Sequence, residues 1–453
     1  MNLEIGKQLF KQKEYKKSEI FFLNQLKIIS DNIEIYFYLG QIYFEVNQFK
    51  KSIFYLKKAL KINPKSRTLL LHIANTYFVT GEFLEAKYVY LKIIDLDKFN
   101  IKAYYGLYLL NPNYLNNDFY SNIEKIISYK KINLYESSLI EYLLSKREKN
   151  KNNIESEIKF LENHHNKIFN YNLNFNKQGK FYYDQVISKH FNKVNFYNSV
   201  NSKVKFENVT PIFIIGLPRS GSTLLESLLS FSNKNILNLG ETAIINMSIL
   251  NEIKKDIFSK DFNENIFKLN LNLENVRKKI IDSYENIFFN KISNLTFVDK
   301  SLENFFNIEI ILKVFPNAIF IHTKRNYKDA VIAIYQSMLY LLPWAHKIED
   351  IINYIDNYIN VISYFEKKYS SNILSIQLED LTEDQLNYSK KLFNFCNIKW
   401  NKEISEFYKE KNLAIKTLSN TQLRNEIVRY DYDKYKKYYF LFESYKKKYS
   451  WLN

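Results

Sequence analysis

The chain of 453 residues has a single cysteine, Cys396. That excludes an intrachain disulfide, and it excludes a structural zinc cluster built on thiolates. The six histidines are scattered. The one adjacent pair is His164-His165, and neighbours on a helix do not face a common site, so the pair reads as surface. No metal is expected. No uninterrupted apolar run approaches the ~20 residues that span a bilayer. The opening Met1-Asn2-Leu3-Glu4-Ile5-Gly6 has no basic stretch leading into an apolar one. The expectation is a soluble, cytoplasmic protein.

Acidic residues are in the minority, and the formal charge is +17. Such a balance favours anionic ligands without naming one. A nucleic-acid partner would account for it too, but the basic residues are spread along helix faces, where solvated lysine is the ordinary reading. Hydrophobic residues make up 46% and charged residues 25%, the balance of a globular chain long enough for two or three cores.

The first hundred residues repeat at a shift of 34. Gly6, Gly40 and Ala74 align as small residues where paired helices touch, with Leu9, Tyr43 and Tyr77 three positions on. Ser18, Ser52 and Ala86 align as the small position of a second helix, followed by Phe22, Leu56 and Tyr90. Pro64 closes the second copy, and Asn47-Gln48 and Thr80-Gly81 fall at turns. This pattern resembles the tetratricopeptide repeat, with about three copies and a degenerate continuation near Ile101–Leu110. Tyr and Phe at these positions are repeat core. A stacked array offers a surface for protein or peptide, or for dimerisation.

The chain is organised around PIFIIGLPRSGSTLLESLLSFSNKNILNLGE, Pro211 to Glu241. An apolar strand, Ile212–Ile215, runs into Gly216-Leu217-Pro218-Arg219-Ser220-Gly221 and then into a helix whose Leu224–Leu229 stripe is core. Strand, glycine-bounded loop and helix start form an anion cradle. The spacing is G-x-x-x-x-G-S-T, where a nucleotide triphosphatase has G-x-x-x-x-G-K-[ST]. Ser222 stands in the lysine position and the cation has moved to Arg219, which suits a 5′-phosphosulfate better than a triphosphate. An ordinary strand-to-helix turn is the bland alternative. A serine-hydrolase elbow fails, because Ser220 lacks glycines at both flanking positions of G-x-S-x-G.

L-P-R-S-G-[ST]-T after a strand resembles the 5′-phosphosulfate loop of sulfotransferases that use 3′-phosphoadenosine 5′-phosphosulfate (PAPS). The likeness is to tyrosylprotein sulfotransferases and to bacterial sulfotransferases bearing tetratricopeptide repeats. It implies that Arg219, Ser220, Gly221, Ser222 and Thr223 hold the cofactor's 5′ end. It implies that Glu241, in Gly240-Glu241-Thr242 after a short strand, is the general base. Asp299-Lys300 with Asn304-Phe305 matches D-K-x-P-x-N-[FY], with Leu302 in the proline position; Lys300 would neutralise the leaving oxygen, and a salt bridge to Asp299 is the plain alternative. Phe315-Pro316-Asn317-Ala318, a strand, then Arg325-Asn326-Tyr327-Lys328-Asp329-Ala330-Val331 resembles the 3′-phosphate motif, with Arg325 on the phosphate. Ala333 stands where the family has serine, and Ser337 lies one turn later. Glu379-Asp380 reads as a cap on the following helix. Thr417, Ser419, Gln422 and Arg424 fit T-x-S-x-x-Q-x-R, a segment that would fold over the cofactor, Arg424 with Lys434 or Lys436 adding charge. The basic tail beyond it reads as a solvated helix face.

The expectation is an N-terminal α-solenoid over 1–115, a helical connection over 116–208, and over 209–453 an α/β domain with a doubly wound parallel sheet and a P-loop-like turn. Residues 170–209 could line an acceptor site. The function implied is PAPS-dependent sulfation of an acceptor hydroxyl, most readily a tyrosine on a protein or peptide. Glycan or small-molecule sulfation, a nucleotide-dependent kinase and a non-catalytic repeat scaffold are the alternatives.

Overall fold

A computed structural model describes residues 3–129, 132–192, 195–197, 209–232, 236–253, 270–288, 296–409 and 414–453. Of the 170–209 stretch, residues 193–194 and 198–208 lie outside the described residues. The chain divides into two compact units. One comprises 1–160, 281–291 and 409–425, the other 161–280, 292–408 and 426–453.

The first unit is built on paired helices: α1 (Glu4–Lys11) with α2 (Tyr15–Ile28), α3 (Ile33–Glu45) with α4 (Phe49–Ile62), and α5 (Arg67–Thr80) with α6 (Phe83–Leu96). Then comes α7 (Ile101–Leu110), the continuation. The 34-residue period has a physical basis at each step. Asn32, Ser66 and Asn100 accept backbone N–H groups at the starts of α3, α5 and α7. Lys13, Asn47 and Gly81 take the left-handed conformation that ends each first helix. The N–H of the next residue then reaches back to Leu9, Tyr43 or Tyr77 at 2.8–2.9 Å. Ser18 donates to the Gly6 carbonyl at 2.8 Å and Ser52 to that of Gly40 at 2.7 Å. The third copy, with Ala74 and Ala86, lacks this bond. Phe22, Leu56 and Tyr90 are buried, as expected of repeat core.

The second unit holds a five-stranded sheet: β1 (Thr210–Gly216), β2 (Ile236–Gly240), β3 (Thr296–Asp299), β4 (Ile319–Lys324) and β5 (Ile373–Gln377). Their order is β2-β3-β1-β4-β5 and every pairing is parallel. Ile212, Phe213, Ile214 and Ile215 are fully buried at its centre, as a strand covered on both faces requires. Two short strands, Asn195–Tyr197 and Asn270–Asn272, pair in parallel apart from it. With β3 and β4 on either side of β1, the carboxyl ends of these three strands mark the topological switch point, where open sheets bind ligands.

Two readings need correction. His164 and His165 are buried, not surface. Their helix, Ile154–Tyr171, also buries Leu161 and Ile168, so its covered arc is wide enough to take adjacent residues. The basic tail is not a solvated helix face. It runs in 3₁₀ turns and buries Tyr435, Tyr438, Phe442, Tyr449 and Leu452. Among the described residues, no helix is long and apolar enough to cross a membrane.

Candidate active site

The loop after β1 is shaped by three special backbone positions. Gly216 has φ 142°, and a Cβ there would lie 2.5 Å from the Thr323 carbonyl oxygen on β4. Gly221 has φ 90°, with a Cβ position 2.7 Å from Leu378 Cδ1. Between them Arg219 takes φ 66°, a conformation that costs a non-glycine residue on the order of 1 kcal/mol. Ser220 is held from two sides: its hydroxyl donates to Leu217 O at 2.6 Å and meets Thr323 Oγ1 at 2.6 Å. Helix α8 (Ser222–Ser232) starts at once, with Ser222 and Thr223 in its first turn. Its free N–H groups and dipole make this turn electropositive.

The ends of β2 and β3 are stitched together. Thr242 Oγ1 donates to Asp299 at 2.6 Å, the N–H groups of Thr242 and Ala243 donate to Ser301 Oγ, and Lys300 N donates to Gly240 O at 2.9 Å. Asp299 is thereby tied into this turn, and the ion pairs of Lys300 run to two glutamates. Lys300 is instead fully buried, with Nζ 2.8 Å from Glu241 Oε1 and 3.5 Å from Glu226 Oε2. Burial alone would pull the lysine pKa down, but the two carboxylates more than reverse this and hold it above its usual value. Glu226 is buried behind the lysine, and desolvation pushes its pKa up against the pull of Lys300. The Glu241 side chain is 60% exposed, so the pair joins a buried cation to a carboxylate that faces solvent.

Arg325, at the end of β4, is buried. Nη1 donates to the Arg219 carbonyl at 2.7 Å and Nε to Tyr430 OH at 3.0 Å. The guanidinium lies over the rings of Tyr430 and Tyr435, 5.2 and 5.0 Å from their centroids. Among the described residues no carboxylate pairs with it. Tyr430 in turn donates to Asp329, which also accepts from Tyr439 at 2.7 Å. Glu379 accepts from Asn326 N at 2.8 Å and so fixes the turn after Arg325, rather than the helix that follows it in sequence. Ser337 donates to the Ala333 carbonyl at 2.7 Å. Lys436 pairs with Asp433.

Arg219, Ser220, Gly221, Ser222, Thr223, Glu241, Lys300 and Arg325 thus all lie at the carboxyl edge of one sheet. Ser419, Gln422 and Arg424 belong to the repeat-bearing unit, where Arg424 donates to Asn420 Oδ1 at 2.9 Å and to Val79 O at 3.3 Å. Sequence reasoning missed Glu226, although an acid inside the apolar run Leu224–Leu229 was a visible signal. It also missed Tyr430 and Tyr435, which no motif marks. The residues present suit an anionic nucleotide: a buried arginine without a carboxylate partner among the described residues, an electropositive helix start, and two glycines where a side chain would collide.

Residues 211–402 match the model of the sulfotransferase family, and residues 33–66 that of the tetratricopeptide repeat. An uncharacterized protein of Aquifex aeolicus (strain VF5) is 28% identical over 242 residues, 50% of this chain but only 30% of that protein. The chain thus spans about a third of the length of this curated relative. Among solved structures, sulfotransferase STF9 from Mycobacterium avium superposes with a TM-score of 0.33 at 12% identity, over 53% of this chain and 76% of its own. The sulfotransferase domain from the curacin biosynthetic pathway does so at 0.30 and 18%, over 47% and 85%.

Proposed function

We propose that this protein transfers a sulfuryl group from PAPS to an acceptor hydroxyl. The observation that carries the reading is Arg325, a buried cation with no carboxylate partner among the described residues, hydrogen-bonded to the backbone of the loop on the neighbouring strand. One end of a nucleotide would meet Arg325 and the other the start of α8. Bound PAPS supplies a sulfuryl group attached to a phosphate leaving group. Glu241, exposed on its outer side, accepts the proton of the acceptor hydroxyl as the new S–O bond forms and the bridging S–O bond breaks. Lys300 meets the negative charge that develops on the bridging oxygen. Proton uptake weakens the hold of Glu241 on Lys300, which turns the ammonium toward the leaving group, while Glu226 keeps it in place from behind. Arg219 adds positive charge on the loop side.

The acceptor is a hydroxyl on a protein or peptide, tyrosine-like, because the repeat supplies a scaffold suited to protein. Calorimetric titration with adenosine 3′,5′-bisphosphate tests the core of the reading. Micromolar binding is expected for wild type and its loss for Arg325→Ala. Binding of ATP in its place would point to a kinase, and binding of neither to a scaffold. Labelled PAPS offered with a tyrosine peptide, a glycan and a small phenol then sorts the acceptor class.

A further inference from the structure

The first unit contains a segment from the far end of the chain, 414–425, and the way it is held follows the repeat. Lys416 Nζ donates to the carbonyl of Glu45, the last residue of α3, at 3.1 Å. Its ammonium lies 4.8 Å from the ring of Phe44 and 5.6 Å from that of Phe49. Arg424 donates to the carbonyl of Val79, in the last turn of α5, and its guanidinium lies 5.5 Å from the ring of Phe83. Glu45 and Val79 are 34 residues apart, and so are Phe49 and Phe83. Two cations of one segment therefore occupy the same site on successive copies: the carbonyl end of a first helix and the aromatic residue that opens the second. Both features favour a cation, since the last carbonyls of a helix lack partners and carry its negative dipole, and an aromatic face is electron-rich.

The choice of cation also follows. At Gly81 an added Cβ would lie 2.3 Å from Arg424 Cζ, so the guanidinium rests flat on a turn that only glycine leaves open. The equivalent turn residue of the previous copy is Asn47, which has a Cβ, and there a lysine ammonium makes a single-point contact. Between the anchors, Asn420 is fully buried, its amide donating to Phe78 O at 2.9 Å and Ile415 O at 2.7 Å while its oxygen accepts from Arg424. Ile415 N donates to Val79 O at 3.0 Å.

We infer that the turn edge of the repeat is the docking site of the chain's own segment 414–425, anchored by Lys416 and Arg424, so that the Arg424 guanidinium is committed to the repeat. The repeat then acts in cis, holding a piece of its own chain.

Hydrogen exchange followed by mass spectrometry on the full chain tests the docking. Arg424→Ala is expected to lower protection of 414–425 about tenfold or more, with a parallel loss at the end of α5. Phe83→Leu, which keeps an apolar side chain and leaves Arg424 in place, is expected to do the same to a smaller degree. Loss confined to these two stretches, with the sheet as protected as in wild type, supports the docking. Unchanged exchange of 414–425 in Arg424→Ala overturns it.

Discussion

At the residue scale, the chemistry turns on one buried ammonium. Lys300 is fully buried between Glu241, which faces solvent, and Glu226, which is buried. Lys300→Met removes the charge and strands Glu226 in the core, so it is expected to destabilise by about 3–5 kcal/mol as well as to abolish turnover. Lys300→Met combined with Glu226→Leu should recover much of that stability, with turnover still absent. Urea unfolding of the three proteins checks this, and an additive double mutant would show the two side chains to be independent.

A second buried cluster sets an acid limit. His165 Nε2 donates to the Tyr335 carbonyl at 2.8 Å, and its Nδ1 lies 3.3 Å from His346 Nδ1. Burial pushes the His346 pKa down to about 4 from its ordinary 6.5. Between those values the unfolded chain binds a proton that the folded one refuses, so stability falls as pH drops from about 6.5 to about 4 and levels off below, by roughly 3 kcal/mol for this group. Unfolding curves at pH 7, 5.5 and 4.5 should show that slope, and His346→Leu should flatten it. An identical slope in the variant would remove His346 from the account.

At the scale of elements, the repeat was legible because its helices pack by a rule that the sequence writes out every 34 residues. The small positions, the turn residues and the large core residues could all be read in register. The caps at Asn32, Ser66 and Asn100 carry the same period. The buried bond of Ser52 to Gly40 was not legible, because a serine at a small position is equally an alanine, as Ala86 shows. Gly40→Ala is expected to cost about 1–3 kcal/mol, since its Cβ would lie 2.7 Å from Leu56 Cγ in a filled core. Ser52→Ala should cost about 1 kcal/mol for one buried hydrogen bond. Thermal unfolding of the two variants gives the comparison, and a larger loss in Ser52→Ala would reverse the ranking. The strands of the sheet were legible as short apolar runs, and the loop after β1 by its glycines. Glu226 was passed over because helical periodicity counts apolar residues and ignores the one acid among them.

At the scale of the whole molecule, the charge of +17 acts at a distance on any anionic nucleotide. Bisphosphate affinity is expected to fall as salt is raised from 50 to about 300 mM, because exposed lysines are screened beyond a Debye length of ~10 Å while buried Arg325 and Lys300 are not. An affinity unchanged over that range would place the whole electrostatic effect in the buried side chains. What the sequence could not tell at this scale is who holds whom. Asn420 meets Phe78 across more than 340 positions, and no local pattern records such a meeting; the T-x-S-x-x-Q-x-R match pointed to a nucleotide, while the partners of Arg424 include Asn420, the Val79 carbonyl, the Gly81 turn and Phe83.

The first unit draws on three separate lengths of chain, 1–160, 281–291 and 409–425. On a ribosome these emerge in order. The repeat helices come out first, yet the last piece of their unit is not made until the sheet has been translated. At about 5–20 residues per second, the ends of α3 and α5 wait on the order of 20 seconds or more for Lys416 and Arg424 to arrive. During that interval the same carbonyls and rings are open to any basic segment nearby, a nascent neighbour on the same message included. Order of synthesis, and not only the final fold, decides which chain closes the unit.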